Sequence, residues 1–238
     1  MAKVNIKLKS KKEVASETME FQFEKPEGFT FKPGQYADYT LNNPAETDAE
    51  GDIRTFSLGA PYENHIIFTT RMRDTAFKRN LKKMEIGTEV ILDGSYGSFT
   101  LHNNVKIPAV FLSGGIGITP MRSIILQATK DKTAHKIFLF YANKTPKDAA
   151  YLDELMDAQN KNPNFKLIPS MTELKDSDDW KGETGFFTKE MMEKYVGDLS
   201  LPIYYISGPP EMVTSIRKTL NEAGIDDDNI RTEEFSGY

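Results

Sequence analysis

Cysteine is missing from the 238 residues, and that absence removes several chemistries at once. A chain without thiols forms no disulfide, binds no zinc through sulfur, offers no cysteine nucleophile and holds no iron–sulfur cluster on cysteinyl sulfur. Histidine is scarce as well. His65, His102 and His135 stand far apart without ligand-like neighbours and read as surface or loop residues, so no metal site is expected. Neither Gly-x-Ser-x-Gly nor Gly-x-x-x-x-Gly-Lys-Ser/Thr occurs. Apolar runs never reach the about 18 residues of a membrane span, and Met1-Ala2-Lys3-Val4-Asn5 lacks the apolar core of a signal peptide. A soluble cytoplasmic protein is the expectation. Basic blocks are lacking too: 30 Lys and Arg against 35 Asp and Glu leave a net charge of −5, which argues against nucleic acid as a partner.

What is present divides into two patterns. Through the first hundred residues short alternating runs read as strands: Lys3–Lys9, Met19–Phe23, Gln35–Leu41, Ile53–Leu58, His65–Arg71, Glu89–Asp93 and Ser98–Leu101, separated by turns such as Pro33-Gly34 and Gly51-Asp52. One helix interrupts them at Ala76–Met84, with Phe77, Leu81 and Met84 on one face. Many short strands with one helix predict an antiparallel β-barrel. Beyond Val105, apolar runs at Ala109–Leu112, Lys136–Tyr141, Phe165–Met171 and Ile203–Ile206 alternate with helical stretches at Met121–Thr129, Asp148–Asn160, Lys189–Val196 and Glu211–Ala223. A last strand is expected at Asn229–Phe235, and Thr172–Gly185 reads as a loop. This second pattern predicts an α/β parallel-sheet domain. The polar stretch His102–Ile107 sets the expected division into residues 1–103 and 104–238.

Four segments carry chemistry. Leu112-Ser113-Gly114-Gly115-Ile116-Gly117-Ile118-Thr119-Pro120 follows a buried strand and opens a helix, where glycines admit a close ligand and free N–H groups meet phosphate. Thr119 suits the N-cap and Pro120 the first helical residue. The third glycine of the dinucleotide fingerprint is missing, and the next strand ends in Asn143-Lys144 rather than an acidic residue; a lysine there suits a 2′-phosphate or a ribose oxygen. Ser207-Gly208-Pro209-Pro210-Glu211-Met212 repeats the logic at another strand end, so the two turns are expected to border one crevice. In the first half, Arg54-Thr55-Phe56-Ser57 combines a cation, a ring and hydroxyls. Arg71-Met72-Arg73-Asp74-Thr75 places two guanidinium groups ahead of the helix that begins at Ala76.

Taken in order with the aromatic carboxyl end, these segments resemble the ferredoxin–NADP⁺ reductase family of flavoenzymes. The resemblance implies a flavin-binding barrel followed by a nicotinamide-nucleotide domain. Arg54 would then contact the flavin phosphates with Thr55 beside it, Phe56 would lie against the isoalloxazine or ribityl region where the family usually has tyrosine, and Ser57 would hydrogen-bond near N5. Arg71, Met72, Arg73, Thr75 and Ala76 match the diphosphate segment and imply FAD rather than FMN. Gly114, Gly115, Gly117, Ile118, Thr119 and Pro120 match the nicotinamide-nucleotide loop, with Asn143 and Lys144 toward the adenosine. Ser207, ahead of Gly208, Pro209 and Met212, stands where the family commonly has cysteine. Ser57, Ser207, Glu234 and Tyr238 are the catalytic candidates, and Phe235 and Tyr238 compete for the outer face of the flavin.

The implied activity is hydride transfer from NADPH or NADH to FAD, then electron transfer to an external acceptor such as a ferredoxin, a flavodoxin or an oxygenase component. Arg122 and Lys147 are candidate helpers of Lys144 at a 2′-phosphate. Arg71, Arg73, Lys78, Arg79, Lys82 and Lys83 form a basic cluster that either docks an acidic carrier or is a solvated helix face. A free-flavin or ferric reductase and a non-catalytic nucleotide-binding module are the alternatives. With this length there is room for the two expected domains and none for a third.

Overall fold

Six antiparallel strands form in the first half, alternating in burial except for the continuously buried interior of the fifth: β1 (Val4–Ala15), β2 (Thr18–Glu24), β3 (Tyr36–Leu41), β4 (Ile53–Ser57), β5 (His65–Arg71) and β6 (Glu89–Tyr96). The computed structural model describes residues 3–60, 62–175 and 179–235. Sheet order is β4-β3-β6-β1-β2-β5, and the inward faces bury Leu8, Phe21, Phe23, Tyr39, Phe68 and Leu92 in one core. The sheet is barrel-like but not closed, because no ladder joins edge strands β4 and β5 among the described residues. Ring stacking spans that opening instead: Phe56 of β4 lies on Phe68 of β5 with centroids 4.3 Å apart and planes within 5°. Helix α1 (Ala76–Lys83) buries Phe77 and Leu81 against the same core, and Thr75 caps it by accepting the Lys78 N–H.

The expected strand at Ser98–Leu101 does not form. The Thr100 carbonyl accepts instead from Arg231 Nη1 at 2.7 Å and from the Tyr205 hydroxyl at 3.3 Å. Phe99 and Leu101 accordingly pack into the second half of the molecule.

That second half is a parallel sheet of order β10-β9-β8-β7-β11-β12. Its elements are β7 (Ala109–Gly114), α2 (Ile118–Lys130), β8 (Ile137–Asn143), α3 (Leu152–Lys161), β9 (Phe165–Met171), β10 (Glu183–Thr184), α4 (Lys189–Val196), β11 (Ile203–Gly208), α5 (Pro210–Glu222) and β12 (Ile230–Glu234). Cores lie on both faces, one gathering α2 and α3, the other α4 and α5. From β7 the chain builds outward through β8 and β9, then returns to place β11 on the other side of β7. This reversal makes the carboxyl ends of β7 and β11 the topological switch point, where ligands of open α/β sheets bind.

Other differences from the sequence reading have local causes. Strand β10 is two residues long and so carries no periodicity; the Trp180 indole N–H, bonded to the Glu183 carbonyl at 2.8 Å, holds it in what reads as a loop. Helix α3 starts at Leu152 rather than Asp148, because Tyr151 adopts a left-handed conformation (φ 62°). His102 and His135 are buried, 8% and 6% exposed, not on the surface. Their rings meet edge to face at 5.1 Å. His102 bonds Tyr205 Oη through Nδ1 (3.1 Å) and the Ile107 carbonyl through Nε2 (2.9 Å), while His135 Nε2 lies 2.8 Å from the His102 carbonyl. Burial holds His102 below the usual histidine range. No helix among the described residues is long and apolar enough to cross a membrane.

Phe68 touches the rings of Phe21, Phe23, Tyr39 and Phe56 and is 1% exposed. Phe68→Ala should therefore cost about 3–5 kcal/mol in urea unfolding; a loss below about 1 kcal/mol would mean that the core does not depend on this ring.

Candidate active site

At the switch point the two glycine turns touch backbone to backbone. Gly115–Gly117 form a 3₁₀ turn, and α2 begins at Ile118 with Gly117 as N-cap. Thr119 is therefore not the cap expected of it: it lies within the first turn and donates to the Ile116 carbonyl at 3.2 Å. Pro120 follows it in that turn, where its missing N–H costs no intrahelical bond. The helix starts early because Gly115, with φ 53°, turns the chain directly after β7. A Cβ on Gly117 would lie 2.2 Å from the Ser207 carbonyl oxygen, and one on Gly114 would lie 2.3 Å from Met212 Sδ. No side chain fits at Gly117, where the obstacle is backbone, and at Gly114 the Met212 side chain would have to move. Ile118 is buried in the core behind the turn, and the Gly208 carbonyl accepts the Phe235 N–H at 3.0 Å.

Two cavities open around this contact. One, of ≈ 310 Å³, is lined by Gly114, Gly115, Asn143, Lys144, Pro209 and Met212, with Arg71 and Arg73 on the barrel side. Both side-chain amide atoms of Asn143 are buried in it without a partner among the described residues. The Lys144 ammonium lies 3.0 Å from Glu173, which lines the same cavity. Phe186 forms part of the wall and is 76% exposed. The two candidate helpers lie elsewhere. Arg122 is buried and bonded to Glu154 at 2.5 and 2.8 Å, and Lys147 faces another cavity between the halves.

The second cavity, of ≈ 300 Å³, brings together Arg54, Thr55, Phe56, Ser57, Arg71 and Thr75 with Ile116, Thr119 and Phe235. Sequence reading missed four further lining residues, Glu50, Thr69, Thr70 and Lys78. Met72 and Ala76 belong to its support rather than its wall: Met72 packs on the barrel core, and the buried Ala76 donates its N–H to Asp48 at 2.9 Å. Arg54 is held by Glu50 (2.6 Å) and Asp48 (3.7 Å) over the Phe77 ring. Lys78, read by sequence as part of the basic cluster, lines this cavity. It lies one helical turn beyond Thr75, a spacing that puts both on one face, and burial together with Arg73, Arg54 and Arg71 pushes its ammonium down to about 8. Within the remaining basic cluster, Arg79 pairs with Glu46 and Asp74 at 2.6 Å each.

Arg71 borders both cavities, and its Nη2 lies 3.9 Å from where a Gly115 Cβ would stand. Arg71 Nε and Ser57 Oγ are buried with no partner among the described residues. A cleft with three cations, a ring and two unmatched buried polar atoms suits a dinucleotide that brings phosphate and ring heteroatoms.

The acidic candidate moves by one residue. Glu234 is exposed and lines a groove with Arg217 and Lys218 on α5. Glu233 faces the other way, in register with Ser207 on β11, which in turn pairs with Ser113 on β7. Side-chain oxygens of all three are buried and unmatched among the described residues, and burial pushes the Glu233 carboxyl up to about 7. Ser207 and Glu233 lie beneath the two cavities rather than in their walls. Tyr238 falls outside the described residues.

Residues 111–218 match the oxidoreductase NAD-binding domain family. Among curated proteins the chain is similar to one of the subunits of the Na⁺-translocating NADH-quinone reductase. It is 34% identical to that of Methylococcus capsulatus over 155 residues, covering 63% of this chain and 38% of the relative. With the same subunit of Yersinia pseudotuberculosis it is 30% identical over 220 residues, covering 86% and 54%. The chain thus spans about half or less of the relatives it matches. Among solved structures, a ferredoxin–NADP⁺ reductase from Neisseria gonorrhoeae with bound FAD and NADP superposes with a TM-score of 0.82 over 98% of each chain at 20% identity. Residues 111–218 thus match an oxidoreductase NAD-binding domain, and the chain as a whole shares the two-domain fold of ferredoxin–NADP⁺ reductase.

Proposed function

We propose that the chain oxidises NADH through FAD held in the barrel-side cavity and delivers electrons one at a time to a separate acceptor. The observation that carries this reading is Arg71, whose guanidinium borders both cavities and so can stand between two nucleotides. Residues 1–103 would hold the flavin and 104–238 the coenzyme. Bound FAD supplies the chemistry, accepting a hydride from the nicotinamide and releasing its electrons singly.

The chain's own residues position and cover. Arg54, Arg71 and Lys78 meet the flavin diphosphate beside the start of α1; to do so, Arg54 exchanges Glu50 for a phosphate oxygen. Ser57 Oγ, buried and unmatched, hydrogen-bonds the ring edge. Phe235 covers the outer face and swings aside for the nicotinamide, seated over the Gly117–Ser207 contact. Asn143 offers its unpaired amide to the coenzyme. Alignment of two rings in this way can supply ~7–11 kcal/mol of the barrier.

NADH is favoured over NADPH because Lys144 faces Glu173 at 3.0 Å and the two helpers expected beside it, Arg122 and Lys147, lie elsewhere. The relatives named above belong to NADH-quinone reductases, in keeping with this choice. For the acceptor, a cysteine-free chain points to an external one-electron carrier of ferredoxin or flavodoxin kind, or an oxygenase component. A second reading, a ferric reductase, is favoured by the ion pairs of Arg79 and Lys83 with Glu46, which a docking carrier would have to break.

Anaerobic NADH should bleach the flavin of the reconstituted protein, with kcat/KM for NADPH lower by about tenfold or more, the size of one lost charge-assisted contact. Protein that takes up no flavin, or flavin that keeps its colour, would end the proposal. Lys78→Met should weaken FAD binding by about tenfold in a fluorescence titration, and an unchanged dissociation constant would remove Lys78 from the diphosphate site. Glu233 has a sign that can be checked in flavin-free protein. Its folded value, about 7, lies above the unfolded 4.5, so the unfolded chain loses this proton first and stability falls as pH rises between them, by at most about 1.4 kcal/mol per unit. The wild-type minus Glu233→Gln difference in urea unfolding should show that fall between pH 5 and 7 and level off above; a flat difference would contradict the buried placement.

A further inference from the structure

Opposite the glycine turns, a line of hydrogen-bonding groups crosses the junction between the two halves. Thr69 on β5 lines the barrel-side cavity. Its Oγ1 lies 2.5 Å from the Tyr151 hydroxyl, which donates to Glu20 Oε2 at 2.7 Å. Glu20, on β2, is 1% exposed at its own site but borders a separate cavity of ≈ 560 Å³ between the halves. Lys12 and Glu154 on its rim are 60% and 38% exposed, so this second cavity reaches solvent. Three side chains therefore connect the flavin cavity to the outside.

The line has a direction. Burial pushes the Glu20 carboxyl up, but hydrogen bonds from Tyr151 and Gln22 and the charges of Lys12 and Arg122 outweigh it and hold the group below its usual range, so at neutral pH it only accepts. Tyr151 has one proton, and it points at Glu20. Thr69 must then be the donor to Tyr151, which leaves its oxygen lone pairs facing the flavin cavity. Both O–H bonds point outward, from the cavity toward Glu20. Tyr151 is fixed in this role by its left-handed backbone and by Arg122, whose guanidinium stacks 4.4 Å from its ring and is anchored by Glu154.

We propose that Thr69, Tyr151 and Glu20 form a proton exit from the flavin site. The inference rests on the reading that NADH is oxidised by an acceptor that takes electrons only. In that case NADH plus two oxidised acceptors give NAD⁺, two reduced acceptors and one proton. The hydride brings a proton nucleus with its electron pair; once both electrons have left, that proton is released at the inner end of the cavity, where Ser57 and Thr69 are 4% and 6% exposed. It passes to the oxygen of Thr69, the Thr69 proton to Tyr151, and the Tyr151 proton to Glu20. From Glu20 it reaches solvent through the outer cavity beside Lys12. Tyr151 and Glu20 act through Thr69 and touch no reactant, so they are positioning and relay residues rather than catalytic ones.

A purely structural clamp would be built from the same contacts, and the test separates the two. FAD-loaded protein is reduced with one equivalent of NADH without oxygen, then mixed with ferricyanide in weakly buffered solution containing a pH indicator. In Glu20→Gln, which can still accept from Tyr151 but takes up no proton, and in Tyr151→Phe, flavin reduction by NADH should stay within about twofold of wild type. Reoxidation and proton release should both slow by about tenfold or more, and Glu20→Asp should restore them. Infrared difference spectra of wild type during reoxidation should show a transient protonated-carboxyl band that Glu20→Gln abolishes. Proton release at wild-type rate in both variants would overturn the relay, as would equal slowing of reduction and reoxidation, which is the mark of a clamp. Wild-type flavin that NADH does not bleach would instead overturn the functional reading beneath it.

Discussion

The contact between Gly117 and the Ser207 carbonyl is the constraint on which the rest of the site depends. It holds the turn after β7 against the turn after β11 at a distance that excludes any side chain. Because β7 and β11 lie on either side of the strand-order reversal, the contact also fixes where the crevice opens. Gly114 lets Met212 approach from one side, and Arg71 reaches Gly115 from the barrel on the other. The two halves of the molecule are thus joined at the place where their cavities meet.

Electrostatics follow the same geometry. The chain carries a net charge of −5, yet Arg54, Arg71 and Lys78 converge on one cavity, where burial and the neighbouring cations push Lys78 down to about 8. Acidic groups nearby are arranged in two ways. Asp48 and Glu50 hold the α1 start and Arg54, where a phosphate would compete with them. Glu20 and Glu233 are buried behind the cavities with opposite outcomes: Glu20 is compensated by Tyr151, Gln22 and Lys12, whereas Glu233 has no compensating partner among the described residues and rises to about 7.

Much of this is legible in the order of residues. Period-two alternation locates all six strands of the first sheet, and the glycine turns after Leu112 and Ile206 mark the switch point by themselves. What escapes are features set by tertiary partners. Ser98–Leu101 alternates like a strand, but Arg231 and Tyr205, more than a hundred residues away, capture its carbonyl. His102 and His135 look isolated because their partners, each other and Tyr205, are distant in sequence. Glu234 stands out over Glu233 only when a terminal acid is sought without the strand phase; pairing of Ser207 with Glu233 decides it. Lys78 reads as surface charge, although its spacing from Thr75 already puts it on the ligand face. The Thr69–Tyr151–Glu20 line has no sequence signal at all, since it joins three segments across the domain junction.

The central claim is that two nucleotides share one cleft with Arg71 between them. A crystal structure with FAD and NAD⁺ bound tests it most directly. The flavin diphosphate is expected within hydrogen-bonding distance of Arg71 and Lys78, the ring over Ser57 and beneath Phe235, and the coenzyme pyrophosphate at Gly114–Gly117. Flavin bound elsewhere, such as in the cavity beside Glu20, or an Arg71 still unmatched with both ligands present, would contradict it.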